Sequence, residues 1–361
     1  MGKMRGAWRL FKTLLDVPVA RADRFLDLVQ QDIRSGVPVP LSERLRLATG
    51  GFLRESYIVY QFDRNDRSQY LSDVQRSVRT PELNGQYSLL LKDKMLFGLI
   101  TRNFPSHDIK SFGVIRSGKV AYAGAAQKTS AASYLLDLLQ TQPKLVIKPL
   151  DAGGGTDIRR VFREGEQLFV NDVVVSEGGL RDLVEGMKND LISCFVEQHP
   201  EISTLYPRTT NTVRLLTMWD VDTHEPFVAA AVLRIGCAAS YPADNWSQGG
   251  FSAAVDIETG ELSKAASYSR GTLTWHSHHP ESGAPIEGIV VPEWPAIKAR
   301  MIDVCRSIPF LEYIGWDIIL TADGFKILEG NHYSGVTILQ VHRPLLADPR
   351  VAAFYKAKGI L

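Results

Sequence analysis

Tyr313-Ile314-Gly315-Trp316-Asp317-Ile318-Ile319-Leu320, and after a four-residue break Phe325-Lys326-Ile327-Leu328-Glu329-Gly330-Asn331, decide how this chain is read. The first run is apolar apart from one carboxylate, the pattern of a buried strand. Residues 321–324 (Thr-Ala-Asp-Gly) form a turn signal, and the second run reads as the returning strand. A lone Asp in an apolar strand is costly without a partner. The hairpin supplies partners, because it can bring Asp317, Glu329 and Asn331 together. Two carboxylates and one amide oxygen are hard ligands, suited to Mg²⁺ bridging nucleotide phosphates. The bland alternative is that these residues cap turns.

Upstream, residues 145–149 read as a short strand carrying Lys148, followed by Asp151-Ala152-Gly153-Gly154-Gly155-Thr156-Asp157. Three successive glycines let backbone N–H groups fold around an anion. Lys148 adds a point charge and Thr156 a hydroxyl donor. The loop matches neither GxxxxGK[ST] nor GxGxxG, and a flexible turn has the same composition. Asn211-Thr212-Val213-Arg214 enters an apolar strand, and Arg234 closes a second one, Ala229-Ala230-Ala231-Val232-Leu233. Two arginines on paired strands clamp one anion and stabilise charge in a transition state; alternatively Arg214 is an ordinary surface arginine. Residues 245–251 form a polar, glycine-rich loop between strands, set against the phosphate or the acceptor, or simply connecting.

The texture of the chain divides near residue 90. Residues 21–33, 41–53 and 70–78 carry helix-like apolar spacing with scattered charges and no catalytic cluster. Beyond that point helices (89–100, 131–140, 179–187) alternate with strands (114–122, 145–149, 161–175, 191–198). The class is therefore α+β: a mainly helical region over 1–90, then an α+β body over 91–361.

Composition excludes several classes. Lys plus Arg total 41 against 40 acids, so bulk charge gives no case for nucleic-acid binding. The three cysteines, Cys194, Cys237 and Cys305, form no CxxC pair and read as buried thiols of a reducing, cytoplasmic compartment. No run of 18 apolar residues exists. Residues 1–15 mix basic and apolar side chains, an amphipathic helix that packs on the body or touches a membrane surface. His276, His278 and His279 fit no zinc spacing and read as solvated loop residues.

Lys148 before a glycine-rich loop, Glu197 ending a later strand, then Asp317 and Glu329-Gly330-Asn331, in this order, resemble the ATP-grasp superfamily. The sugar-transfer-associated ATP-grasp family is the nearest in pattern, through residues 148–159, 211–214, 245–251, 315–317 and 329–335. The resemblance spans residues 90–350 and implies an ATP-grasp fold with a lid subdomain over 145–197, using ATP and Mg²⁺. It implies that Lys148 and Lys94 meet the phosphates, with Lys92 as competitor for Lys94. Gly153, Gly154, Gly155 and Thr156 would close over the phosphates. Glu197, with the backbone of Gln198 and His199, would read adenine, and Glu201 the ribose. Asp317, Glu329 and Asn331 would hold Mg²⁺; Arg214, Arg234 and Lys148 would be catalytic; His332 would assist proton removal. The implied reaction joins a small-molecule carboxylate, a sugar acid or amino acid, to an amine through an acyl phosphate. Phosphate transfer and a non-catalytic nucleotide module are the alternatives. Two departures stand out: no proline follows Asn331, and Thr212 occupies a position where some amino-acid ligases carry Asp.

Overall fold

A computed structural model describes residues 21–122, 125–150 and 157–361. The expected helix over 1–15 and the loop Gly153, Gly154, Gly155 and Thr156 lie outside the described residues. Residues 21–110 contain helices and helical turns, among them 21–35, Leu41–Gly50 and Arg54–Val59. The helix expected over 70–78 begins only at Asp73 and widens into a π-helical turn at Gln75–Arg79. Tyr70 stays extended, and the Leu71 amide donates to Gln340 Oε1 at 2.8 Å instead of to a helical turn.

The helix expected over 89–100 is two helices, Ser88–Lys92 and Lys94–Thr101. Asp93 breaks them: its backbone is extended and its carboxylate caps Met95 N (2.8 Å) and Leu96 N (3.1 Å). The break separates Lys92, which is exposed, from Lys94, which turns inward.

Two antiparallel sheets follow. The first contains β1 (Ser111–Arg116), β2 (Lys119–Tyr122), β3 (Ala125–Ser130), β4 (Lys144–Pro149), β5 (Arg159–Glu164), β6 (Gln167–Val170), β7 (Val173–Val175) and β8 (Asp190–Cys194). Its order is β3-β2-β1-β8-β4-β5-β6-β7, so the sheet extends from residue 111 to residue 194. Helices Ala131–Leu138 and Glu177–Glu185 cover one face, over a core that includes Ile147, Val161, Leu180 and Ile192. Strands alternate their side chains between faces, so Ile147 in this core places Lys148 on the opposite face.

The second sheet contains β9 (Thr212–Trp219), β10 (Pro226–Ile235), β11 (Phe251–Val255), β12 (Leu262–Ser269), β13 (Thr272–His276), β14 (Ile314–Thr321) and β15 (Gly324–Asn331). Its order is β13-β12-β11-β10-β9-β14-β15. Val213, Leu215, Leu233, Trp316 and Ile318 pack on one face with the Trp294–Ser307 helix. Leu216, Met218 and Val232 pack on the other with the Pro349–Ala357 helix. Period-two alternation puts Arg214, Arg234 and Asp317 on this second face, at the strand ends nearest the first sheet.

Candidate active site

Arg214, Asp317 and Glu329 stand opposite one another across three adjacent strands: Asp317 pairs with Arg214 on β9 and with Glu329 on β15. The pairing with Glu329 depends on a bulge. Ile318 opposes Ile327, yet Asp317 opposes Glu329, so Leu328 is the extra residue. Without it Glu329 would follow Ile327 into the apolar core; the bulge re-aims it to the face of Asp317.

Asp317 is buried, and both of its oxygens accept from arginine. Its Oδ1 accepts from Arg214 Nε, and its Oδ2 accepts from Arg214 Nη2 (2.7 Å) and Arg234 Nη1 (3.0 Å). Burial opposes its charge, but the Arg214 and Arg234 guanidiniums outweigh burial and hold the carboxyl down at about 2. Glu329 is pushed the other way, by burial and then by the neighbouring Asp317 charge. The two carboxylates are thereby split into one firmly ionised group and one that binds a proton readily.

Arg234 has a second anchor that sequence reasoning missed. Its Nη2 donates to Asp244 and to Asn245 Oδ1 (2.5 Å). Asp244 also accepts from Thr212 N (2.8 Å) and Thr212 Oγ1 (2.6 Å). Two buried arginines thus face two buried acids, Asp244 and Asp317. The available signal was an acid directly before the polar loop at Asn245. Thr212 thus holds Asp244 through both its amide and its hydroxyl.

Lys94 donates to Pro149 O (2.9 Å) and Leu150 O (3.0 Å), tying its helix to the end of β4. Lys148 is partly buried; desolvation lowers its pKa most, Glu329 raises it and Lys94 lowers it further. At Gly330, where this helix meets β15, a Cβ would lie 2.8 Å from the Phe97 ring and 2.9 Å from a Leu91 methyl, so those side chains would have to shift. Asn331 Nδ2 donates to Gly315 O (3.1 Å) and Glu329 Oε1 (3.3 Å).

These residues line one cavity of about 230 Å³ between the sheets. Lys94, Lys148, Arg160, Arg214, Arg234 and Glu329 give it charged walls, and Val146, Phe195, Val196, Ile319 and Leu328 apolar ones. The expected adenine and ribose readers are not on this wall. Glu197 is exposed and pairs with Lys144 at 3.1 Å. Gln198 turns to Thr209 O (2.8 Å) and Asn211 N (2.9 Å), and the His199 amide is spent on Leu320 O (2.7 Å). Glu201 is exposed on the Pro200–Leu205 helix. The wall is instead Cys194-Phe195-Val196, one to three residues earlier, so Cys194 lies at the cavity and is not merely a core thiol.

His332 also stands off this cavity; burial, with Lys92 and Arg24 nearby, lowers it to about 4. Of the expected solvated loop histidines, His279 is a correction. It is buried, stacks on Tyr206 with centroids 5.0 Å apart, and hydrogen-bonds Gly236 O at 2.9 Å. Among the described residues no group of three or more His, Cys, Asp or Glu could hold a metal, and no helix is long and apolar enough to cross a membrane.

A family model described as sugar-transfer associated ATP-grasp matches residues 79–352. The chain belongs to this family. The ATP-grasp fold, α+β with a helical region before residue 79, is thereby established. Solved structures to which the chain is similar include D-alanyl-alanine synthetase A from Vibrio cholerae O1 biovar eltor, at 11% identity over 75% of this chain and 67% of that one, TM-score 0.43. A D-alanine–D-alanine ligase from Bacillus anthracis complexed with ATP matches at 12% identity over 75% and 69%, TM-score 0.37. The ATP-grasp ligase PsnB, complexed with a phosphomimetic variant of its minimal precursor, Mg and ADP, matches at 11% over 79% and 61%, TM-score 0.39. The chain spans about three fifths of the first solved structures it matches, 61% and 60%. A search of curated proteins returns no match.

Proposed function

We propose that this ATP-grasp protein is an ATP-dependent carboxylate–amine ligase that works through an acyl phosphate in the reducing cytoplasm. One observation carries the reading: Lys148 of the first sheet, Lys94 of the linking helix, and Arg214, Arg234, Asp317 and Glu329 of the second converge on one cavity. In this reading the first sheet is the lid and ATP lies with its base against the apolar residues Val146, Phe195 and Val196.

The hairpin donors fit Mg²⁺. Asp317, Glu329 and Asn331 bring oxygens to one face, and a carboxylate oxygen has two lone pairs. Asp317 Oδ2 is filled by two arginine donors, so its remaining capacity is on Oδ1. Glu329, which carries no arginine partner among the described residues, is the bridging candidate. When bound, Mg²⁺ neutralises phosphate charge.

Lys148 and Lys94 hold the β- and γ-phosphates. Arg214 and Arg234, fixed by Asp317 and Asp244, meet the charge that grows on the transferred group. A carboxylate oxygen of the acid substrate attacks the γ-phosphorus, the bond to the β–γ bridging oxygen breaks, and ADP leaves. The amine nitrogen then attacks the acyl carbon, the carbon–oxygen bond breaks, and phosphate leaves with the amine proton. Excluding water from the cavity protects the acyl phosphate meanwhile.

The test is Mg²⁺-dependent ADP release with paired panels of sugar acids, amino acids and amines. Release that needs both an acid and an amine, and is lost in Glu329→Gln, supports the ligase. ADP formed with a single substrate and a stable phosphorylated product would replace it with a phosphotransferase.

A further inference from the structure

A second cavity, of about 800 Å³, shares Arg214, Arg234 and Asn245 with the first. The guanidinium pair therefore forms a common wall. Its volume falls in the range that encloses a whole small ligand, about 300–1,000 Å³. The rest of the wall has two sources. Gln31, Glu55 and Arg76 come from the N-terminal helical region, and Trp246, Tyr268 and Arg270 from the second sheet and its loops.

The chemistry of this wall is specific. Arg76 Nε and Tyr268 Oη are both buried and make no hydrogen bond. Buried polar atoms without partners are uncommon and costly, so two on side chains that line one cavity point to a ligand that supplies the partner. Arg76 lies over the Tyr333 ring at 4.7 Å, which holds its stem in place. Trp246 stacks on Tyr268 with centroids 6.0 Å apart and planes at 29°, giving a flat apolar wall. Against the single carboxylate Glu55 stand Arg76 and Arg270, in addition to the two arginines already matched by Asp317 and Asp244. A flat apolar wall beside hydroxyl- and amide-bearing side chains suits a ring with many hydroxyls, and the surplus positive charge suits an acid.

We propose that the second cavity seats the carboxylate substrate, that this substrate is a polyhydroxylated acid of the sugar-acid class, and that Arg76 and Arg270 hold it. The inference rests on the ligase reading of the neighbouring cavity. It gives the helical N-terminal region a role: it completes the acid-binding pocket. The acid enters with its reacting carboxylate toward Arg214 and Arg234, at the border of the two cavities, where it meets the γ-phosphate directly.

The experiment is calorimetry on the full chain loaded with Mg²⁺ and the non-hydrolysable analogue AMPPNP, titrated with D-glucuronate, D-galacturonate and, as uncharged control, D-glucose. At least one uronate is expected to bind, with glucose at least tenfold weaker. Arg76→Met, which keeps a stem over Tyr333, and Arg270→Ala, at an exposed turn, are each expected to weaken the uronate at least tenfold and leave AMPPNP binding unchanged. With AMPPNP binding intact, no uronate binding, or uronate binding unaltered in both variants, overturns this proposal alone. Absence of AMPPNP binding from the wild-type chain overturns the nucleotide reading on which it rests.

Discussion

Glu329 faces Asp317 because the β14–β15 ladder slips by one residue at Leu328. The slip sets the protonation pattern of the site, since Asp317 is held near 2 by two arginines while Glu329 is pushed up by burial and by Asp317. Asp317→Asn keeps the shape and removes the charge that both arginines share. Breaking a buried pair on one side costs about 3–5 kcal/mol. Thermal unfolding should therefore fall by roughly 10 °C, using about 2–4 °C per kcal/mol for chains of this general size. A melting temperature within 2 °C of wild type, an illustrative threshold set at about one surface substitution, would show that Arg214 and Arg234 do not depend on Asp317.

Two glycines near the same helix should respond in opposite directions. At Gly330 an added Cβ meets Phe97 and Leu91 below 3 Å. Gly330→Ala should cost about 1–3 kcal/mol and weaken nucleotide binding, because the helix that carries Lys94 must shift. At Gly98, inside that helix, a Cβ meets nothing within 4 Å. Gly98→Ala should stabilise by about 0.5–1 kcal/mol. Urea unfolding of the two variants checks both signs at once.

A polar bridge joins the sheets. Arg160 donates to Tyr241 Oη (2.6 Å) and Asp172 (3.1 Å), and Arg208 reaches Asp172 from the second sheet's side at 3.2 Å. Asp172 is exposed, so each pair contributes at most about 1 kcal/mol. Asp172→Asn should leave global stability within about 1 kcal/mol and yet speed hydrogen exchange in β5–β7, which local opening controls. Unchanged exchange there would show that the bridge does not restrain the first sheet.

His342 gives a pH signature. Burial lowers it to about 4, and its Nε2 lies 2.9 Å from Ser252 Oγ. An unfolded histidine takes up its proton near about 6.5. Between these values the unfolded state binds more protons, so stability rises with pH from 4 to 6.5 and falls on acidification through that window. The full shift corresponds to about 3 kcal/mol. His332, also lowered to about 4, acts with the same sign. His342→Gln should flatten the stability curve over that window without abolishing its slope.

The chain's order of signals was enough to read the architecture: apolar runs with single charges at Arg214, Arg234 and Asp317 are strands, and period-two alternation puts those charges on one face. The hairpin reading of Asp317, Glu329 and Asn331 came from a turn and two runs, though the bulge that aligns them leaves no mark in composition. Of Lys92 and Lys94 only Lys94 lines the cavity, because Asp93, a capping residue inside an otherwise helical run, breaks the helix between them. Glu197 is the first acid after a strand, but the strand ends at Cys194 and the cavity takes the apolar residues that follow directly, which leaves Glu197 off its wall. Asp244 was missed because one acid in a polar loop looks solvated until Arg234 and Thr212 are seen to converge on it.

The most direct measurement is isothermal calorimetry of Mg-ATP binding to the wild-type chain, Lys148→Met and Glu329→Gln. The site described here predicts saturable one-to-one binding by the wild type. It predicts at least tenfold weaker binding by Lys148→Met, and loss of the Mg²⁺ dependence in Glu329→Gln. Absence of binding by the wild type, or equal Mg²⁺-dependent binding by all three proteins, would contradict it.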